Sequence, residues 1–244
     1  MKKVTTNEGL FDPEGTIWVP DTIADWDAIH NWERVRLASM REHLHKGMTL
    51  LDVGTEHCWL TAVYGQFVGP ENVVLAEPSP EMWQDIRYTW EANKFPKPKG
   101  VWAGFVGAEP KGLMPKRLSQ TWPKWTSADA DESPVVPYRF MHDPGHQEQG
   151  IPTITIDQIG QWMKVDAITV DVEGAEFEVM KGAELTLRKE RPLVWLSVHP
   201  DLMQRDYGVE HVEELFDFMT SCGYGREYLG TDHEQHHFFA TSAR

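Results

Sequence analysis

Several apolar runs in this chain stop on groups that can do chemistry. "DAITVDVEG" carries Asp171 and Glu173 up to a glycine, and "PLVWLSVHP" carries Ser197 and His199 up to a proline. "LLDVGTEHC" ends in Asp52, Gly54, Thr55, Glu56 and His57, and "NVVLAEPSP" brings up Glu77. An imidazole titrates near neutrality, so His199 is a candidate general base; bonding to nearby backbone is its plain alternative. Asp171 can orient such a base, hold a cationic amine or bind a metal. Glu173 precedes Gly174 and serves equally as a catalytic acid or as a favourable charge at a helix start. Together Asp171, Glu173 and His199 offer hard oxygens and one imidazole, a set suited to magnesium or manganese rather than zinc.

The elements that must position these groups alternate along the chain. Strand patterns "MTLLDVG", "NVVLAEPSP" and "GVWAGFVG" are separated by helical patterns "WLTAVYGQFV" and "PEMWQDIRYTWEANK". After an interruption, "DAITVDV" and "PLVWLSVH" flank the helical "AEFEVMKGAELTLRKE", and the helical "VEHVEELFDFMTSC" follows. This alternation predicts right-handed crossovers and a mostly parallel α/β sheet with helices on both faces. The close final runs "YGREYLG" and "HHFFATS" predict a hairpin, so one strand there runs antiparallel. An open parallel sheet binds ligands beyond the carboxyl ends of its strands, which is where the polar groups lie.

Two regions depart from the rhythm. Residues 1–47 read as a helical lead-in, with Trp26, Ile29, Trp32, Val35 and Leu37 forming an apolar face. Residues 108–150 read as an insertion or lid, with a hairpin near "VVPYRF" and with Trp122, Trp125 and Tyr138 as stacking surfaces for an acceptor. "TITIDQIGQWM" then gives a short strand and a helix capped near Asp157. In the fourth helix, Met180, Leu185 and Leu187 are core candidates, and Glu178 with Lys181 a solvated pair. One domain over 1–244 is the simplest organisation.

Composition narrows the partners. A net charge of -15 over 244 residues disfavours a nucleic-acid backbone and suits a cationic ligand. No apolar run reaches the roughly 20 residues of a membrane helix, so no membrane partner is expected. Two distant cysteines, Cys58 and Cys222, give no disulfide framework, which fits a reducing cytoplasm. The histidines of "HDPGH" (His142, His146) and "DHEQHHFF" (His233, His236, His237) read as polar surface. Most of the eleven tryptophans read as packing groups.

The first strand-to-helix turn suggests the cofactor. Gly54 permits a tight turn, and Glu77, at the end of the next strand, can accept bonds from both ribose hydroxyls. A nicotinamide dehydrogenase would want the G-x-G-x-x-G triplet, whereas the turn here is Gly54-Thr55-Glu56-His57-Cys58. Glu56 would repel a pyrophosphate. An acidic turn suits a phosphate-free ligand with a positive centre, such as S-adenosylmethionine.

"LLDVGTEHCWLTA", "LAEPSPEMWQDIRYTWEAN", "TITIDQI", "ITVDVEGAEFEVMKGAELTL" and "RPLVWLSVHP" together resemble the FkbM family of S-adenosylmethionine-dependent methyltransferases. The resemblance runs from about residue 47 to the C-terminus, interrupted by the insertion. It implies a seven-stranded class I methyltransferase (Rossmann-like) fold with an antiparallel last strand, and methyl transfer to a hydroxyl of a glycan or other small acceptor. It places Asp52 and Gly54 at the methionine pocket, Glu77 on the ribose, Gly104 and Phe105 at the adenine, and Asp171 at the reacting centre. Thr55 and Pro78 join the cofactor contacts. The chain departs from the family at Cys58, usually glycine, and at Ser197, usually an acid. Those departures leave room for an alternative: a degenerate module on the same fold that binds a glycan or a partner protein.

Overall fold

The computed structural model describes residues 1–6, 11, 13–21, 33–112, 115–123, 151–208, 210–232 and 235–242. Its centre is a seven-stranded sheet. In chain order the sheet strands are β3 (Leu50–Val53), β4 (Val73–Ala76), β5 (Gly100–Trp102), β8 (Ala167–Val170), β9 (Leu193–Val198), β10 (Tyr224–Asp232) and β11 (Gln235–Ser242). Across the sheet they lie β10-β11-β9-β8-β3-β4-β5. The pairs from β5 to β9 are parallel, and β11 runs antiparallel to both β9 and β10. The chain leaves β3 for β4 on one side and later returns to β8 on the other. The β3/β8 boundary is therefore the switch point, where an open sheet offers a crevice.

Helices cover both faces. One face carries α1 (Arg34–His43), α2 (Trp59–Val68) and α3 (Met82–Ala92). The other carries α4 (Ile156–Trp162), α5 (Glu176–Lys181), α6 (Glu184–Lys189), α7 (Pro200–Tyr207) and α8 (Glu210–Ser221). Strand alternation feeds two cores. Leu51, Val53, Ile168, Val170, Val194 and Leu196 pack toward α4–α8, while Leu50, Leu75, Ala167 and Trp195 pack toward α1–α3. The same alternation sends polar side chains to the α1–α3 face. Asp52 and Thr169 are register partners there, and Ser197 lies two residues beyond Trp195 on β9.

Several expectations are corrected. The lead-in begins with an unforeseen hairpin of β1 (Lys2–Thr5) and β2 (Thr16–Val19). The described helix starts only at Arg34, and its buried residues are Arg36, Leu37, Ser39 and Met40, whereas Val35 is exposed. Trp26, Ile29 and Trp32 lie outside the described residues. "GVWAGFVG" splits: β6 (Phe105–Val106) leaves the main sheet to pair with β7 (Thr153–Ile154). The cap of α4 is Thr155, in a reciprocal capping box with Gln158; Asp157 instead accepts from the backbone N–H of Leu185 and Thr186. The single helix expected after Ala175 breaks at Gly182 into α5 and α6. A Cβ at Gly182 would lie 2.0 Å from the carbonyl oxygen of Gly107, so that break is a close backbone approach. Met180 and Leu187 are buried, but Leu185 is exposed. Glu178 and Lys181 do pair, at 2.5 Å.

Of the insertion, residues 113–114 and 124–150 lie outside the described residues, and with them Trp125, Tyr138, His142, His146 and the hairpin near "VVPYRF". Trp122 packs edge-on against Trp90 at 6.4 Å between ring centroids, which makes it a packing group.

Candidate active site

The two turns at the switch point touch. Gly54 follows β3 with φ +88, and a Cβ there would stand 1.8 Å from the carbonyl oxygen of Asp171, which follows β8. Only glycine fits both the left-handed backbone and the contact. A cleft of about 360 Å³ opens beside this junction, lined by Gly54, Pro78, Gly104, Phe105, Val172 and Ala175 among others. Gly104 is a second tight position, since a Cβ would lie 2.5 Å from the carbonyl oxygen of Pro152.

Glu77 ends β4 beside this cleft and is 3 % exposed. Its carboxylate accepts the N–H of Glu56 at 2.9 Å and of Ser79 at 2.8 Å. These bonds fix its orientation and favour its charge. Burial outweighs them and pushes the carboxyl up to about 7. The Asp52 carboxylate turns away from the cleft. It accepts from Thr61 Oγ1 and Tyr64 OH, each at 2.7 Å, and so ties β3 to α2. Burial raises its pKa against those two bonds. Thr55 is also turned inward, its hydroxyl donating to the carbonyl of Ala76 at 3.4 Å.

On the other side of the junction the groups are charged. His199 is 5 % exposed. Its Nδ1 bonds Glu176 Oε1 at 2.9 Å, and its Nε2 stands 3.7 Å from Asp171 Oδ1 and 3.6 Å from Glu173 Oε1. Burial alone would lower its pKa. The Glu176 bond and the charges of Asp171, Glu176 and Glu173 overcome this and raise it to about 9. Asp171 Oδ2 meets Arg36 Nη1 at 3.2 Å. Arg36 is 1 % exposed. It also donates to Ser197 Oγ and lies 2.5 Å from Glu33 Oε2, an ion pair without hydrogen-bond alignment. Burial pushes the Glu33 carboxyl up and Arg36 pulls it back. Ser197 Oγ then meets His237 Nδ1 at 3.1 Å. His237 is fully buried; burial first, then Arg36, His199 and His236, push its pKa down to about 3, so it stays neutral.

Asp171, Glu173 and His199 are thus brought together, as are Gly54, Pro78, Gly104 and Phe105. Glu33, Arg36, Glu176 and His237 were missed. Glu176 carries a usable signal, being the acid three residues after Glu173 on the first turn of α5. Arg36 carries none, because a surface pattern of charges around it hides a buried side chain. His237, expected at the polar surface, is fully buried, because β11 carries it to a position opposite Ser197. Backbone strain also gathers here: Glu33, Glu56, Cys58 and Glu173 all have positive φ, which costs a non-glycine residue of order 1–3 kcal/mol.

The strand order and the site at its switch point define a class I, S-adenosylmethionine-dependent methyltransferase fold. The methyltransferase FkbM domain matches residues 59–225, and the chain belongs to that family. The chain is similar in structure to a precorrin-6y C5,15-methyltransferase from Geobacter metallireducens, with 11% identity, a TM-score of 0.50 and coverage of 98% of this chain and 99% of that one. It is similar to a ribosomal protein L11 methylase from Lactobacillus delbrueckii, with 10% identity, a TM-score of 0.51 and coverage of 93% and 86%. A methyltransferase FkbM from Methylobacillus flagellatus matches at 16% identity and a TM-score of 0.48 over 81% of this chain. The chain spans 43% of that protein's length. No curated protein matches the chain. Among the described residues no helix is long and apolar enough to cross a membrane.

Proposed function

We propose that the protein transfers a methyl group from S-adenosylmethionine to a hydroxyl oxygen of a saccharide or another small hydroxylated acceptor in the cytoplasm. The observation that carries this reading is the contact of the two turns at the switch point. It sets an uncharged, glycine-lined cleft against a charged edge.

The residues fit the cofactor. Gly54 and Gly104 form a cradle that a Cβ would fill. Pro78 and Phe105 supply apolar walls, and Glu77 presents an anchored carboxylate for ribose hydroxyls. S-adenosylmethionine supplies a methyl group on a sulfonium, ready for in-line displacement. The chain's part is to hold the acceptor oxygen on that line, and positioning of this kind supplies much of an enzyme's acceleration. Asp171 Oδ1 and His199 Nε2 border the place where that oxygen must sit. In the protein free of any cation, His199 has its pKa raised to about 9 and carries a proton near neutrality, so it positions the oxygen and does not strip its hydrogen. As the new O–CH₃ bond forms, the S–CH₃ bonding pair returns to sulfur and the hydroxyl proton leaves to solvent. Asp52 and Thr55 act through the shape of β3 and its turn, not by touching the cofactor. We read 1–244 as one domain, with the lead-in contributing Arg36 behind the acceptor side.

The test is incubation with methyl-labelled S-adenosylmethionine and a panel of sugars and small hydroxylated compounds. Label in a base-stable methyl ether is expected. Label confined to nitrogen or carbon products, or found in RNA alone, would overturn the oxygen-directed reading.

A further inference from the structure

We infer that Asp171, Glu173 and His199 hold a divalent cation of the manganese or magnesium type, which receives the acceptor's hydroxyl oxygen. This rests on the methyltransferase reading and deepens it.

One ligand atom from each of the three residues lies within 4.8 Å of the others. The two distances from His199 Nε2, 3.7 Å and 3.6 Å, need only a small rotation. Neighbouring ligands bound at about 2.1 Å stand roughly 3 Å apart around such an ion.

The second observation is independent of that clustering. The His199 side chain is 6% exposed, and its Nε2 is buried with no hydrogen-bond partner. A buried polar atom left unsatisfied is costly, and this one faces the gap between the two carboxylates. The ring is also held as a ligand would be. Glu176, wholly buried, takes Nδ1 at 2.9 Å and is itself fixed by the N–H of Gly174 at 3.0 Å. A carboxylate behind a histidine in this way sets the tautomer and presents the other nitrogen to a metal. Arg36 engages Asp171 through Oδ2 and so turns Oδ1 toward His199.

Two carboxylates and one imidazole, with no thiolate, suit manganese or magnesium. A bound cation lowers the pKa of a hydroxyl that coordinates it, which is the activation a sugar hydroxyl needs. When the methyl is transferred, the oxygen gains the O–CH₃ bond, the S–CH₃ bonding pair returns to sulfur and the hydroxyl proton goes to solvent.

The probe is Mn²⁺ titrated into the full chain, with the spin-resonance signal of the free ion as readout. The expected result is one bound equivalent, retained when S-adenosylmethionine is saturating. Asp171→Asn and Glu173→Gln should each weaken it at least tenfold, and Glu176→Gln by roughly tenfold through the ring it positions. Glu184→Gln, on the surface of α6, should leave it unchanged. Melting by circular dichroism confirms that each variant is folded. Mn²⁺ binding that ignores Asp171→Asn and Glu173→Gln, or that S-adenosylmethionine displaces, would overturn the cation site. Failure to bind Mn²⁺ by wild-type protein that does bind S-adenosylmethionine would overturn it alone. Failure to bind either would remove the methyltransferase reading as well.

Discussion

The two halves of the sheet's carboxyl edge are built by different means. Around β3, β4 and β5 the cleft is backbone and shape: Gly54, Gly104, Pro78 and, beside it, the carboxylate of Glu77, pinned by main-chain N–H groups. Around β8, β9 and β11 it is side-chain charge: Arg36, Asp171, Glu176, Ser197, His199 and His237 in one connected network. The first half draws on the turns that follow β3, β4 and β5. The second draws on segments far apart in sequence, from Arg36 on α1 to His237 on β11.

If the charged half is held by its network, the largest effect follows from cutting its hub. Arg36→Met should cost about 3–5 kcal/mol, because it strands buried Glu33 and partly buried Asp171 without their cation. Denaturant unfolding would show it, and a loss below about 1 kcal/mol would mean that the pairing is incidental. In the shaped half, Gly54→Ala should cost about 3 kcal/mol through strained φ and the collision with Asp171. It should also weaken cofactor binding; an unchanged melting curve would show that the turns can part freely.

The halves should also separate by pH. On the proposed reading, ionised Glu77 accepts from the ribose hydroxyls, and its pKa is raised to about 7 in the free protein. Below that value the carboxyl is protonated and binding must first remove the proton. Affinity for S-adenosylmethionine should therefore be about tenfold weaker at pH 6 than at pH 8, and the difference should vanish in Glu77→Gln. A flat profile in the wild type would place the ribose elsewhere. The smallest effect is expected at Cys58, buried with φ 66. Cys58→Gly removes backbone strain of about 1 kcal/mol and loses a similar amount of thiol burial, so stability should change by less than about 1 kcal/mol. A loss twice that size would show that the thiol matters to packing at the turn.

The same division explains what the sequence revealed. β3, α2, β4, α3, β8 and β9 were legible because each is one apolar run or one helical period bounded by glycine or proline. The placement of Gly54 and Glu77 at neighbouring strand ends was legible from spacing, and so was the meeting of Asp171 with His199, since parallel strands bring their ends together. Arg36 was not legible, because its burial depends on a docked α1 whose Ser39 accepts a bond from Trp195 on β9. Nor was the raised pKa of His199, which depends on Glu176 at the start of α5. The break in the fourth helix escaped because its cause is the backbone of Gly107, brought there only by the β6–β7 pairing.

The most direct measurement is calorimetric titration of the wild-type protein and of Glu77→Ala with S-adenosylmethionine at pH 8. Saturable one-to-one binding in the wild type, weakened at least a hundredfold by the substitution, is the expected result. Equal binding by both proteins, or no binding by a folded wild type at millimolar ligand, would contradict the assignment of this edge as the cofactor site.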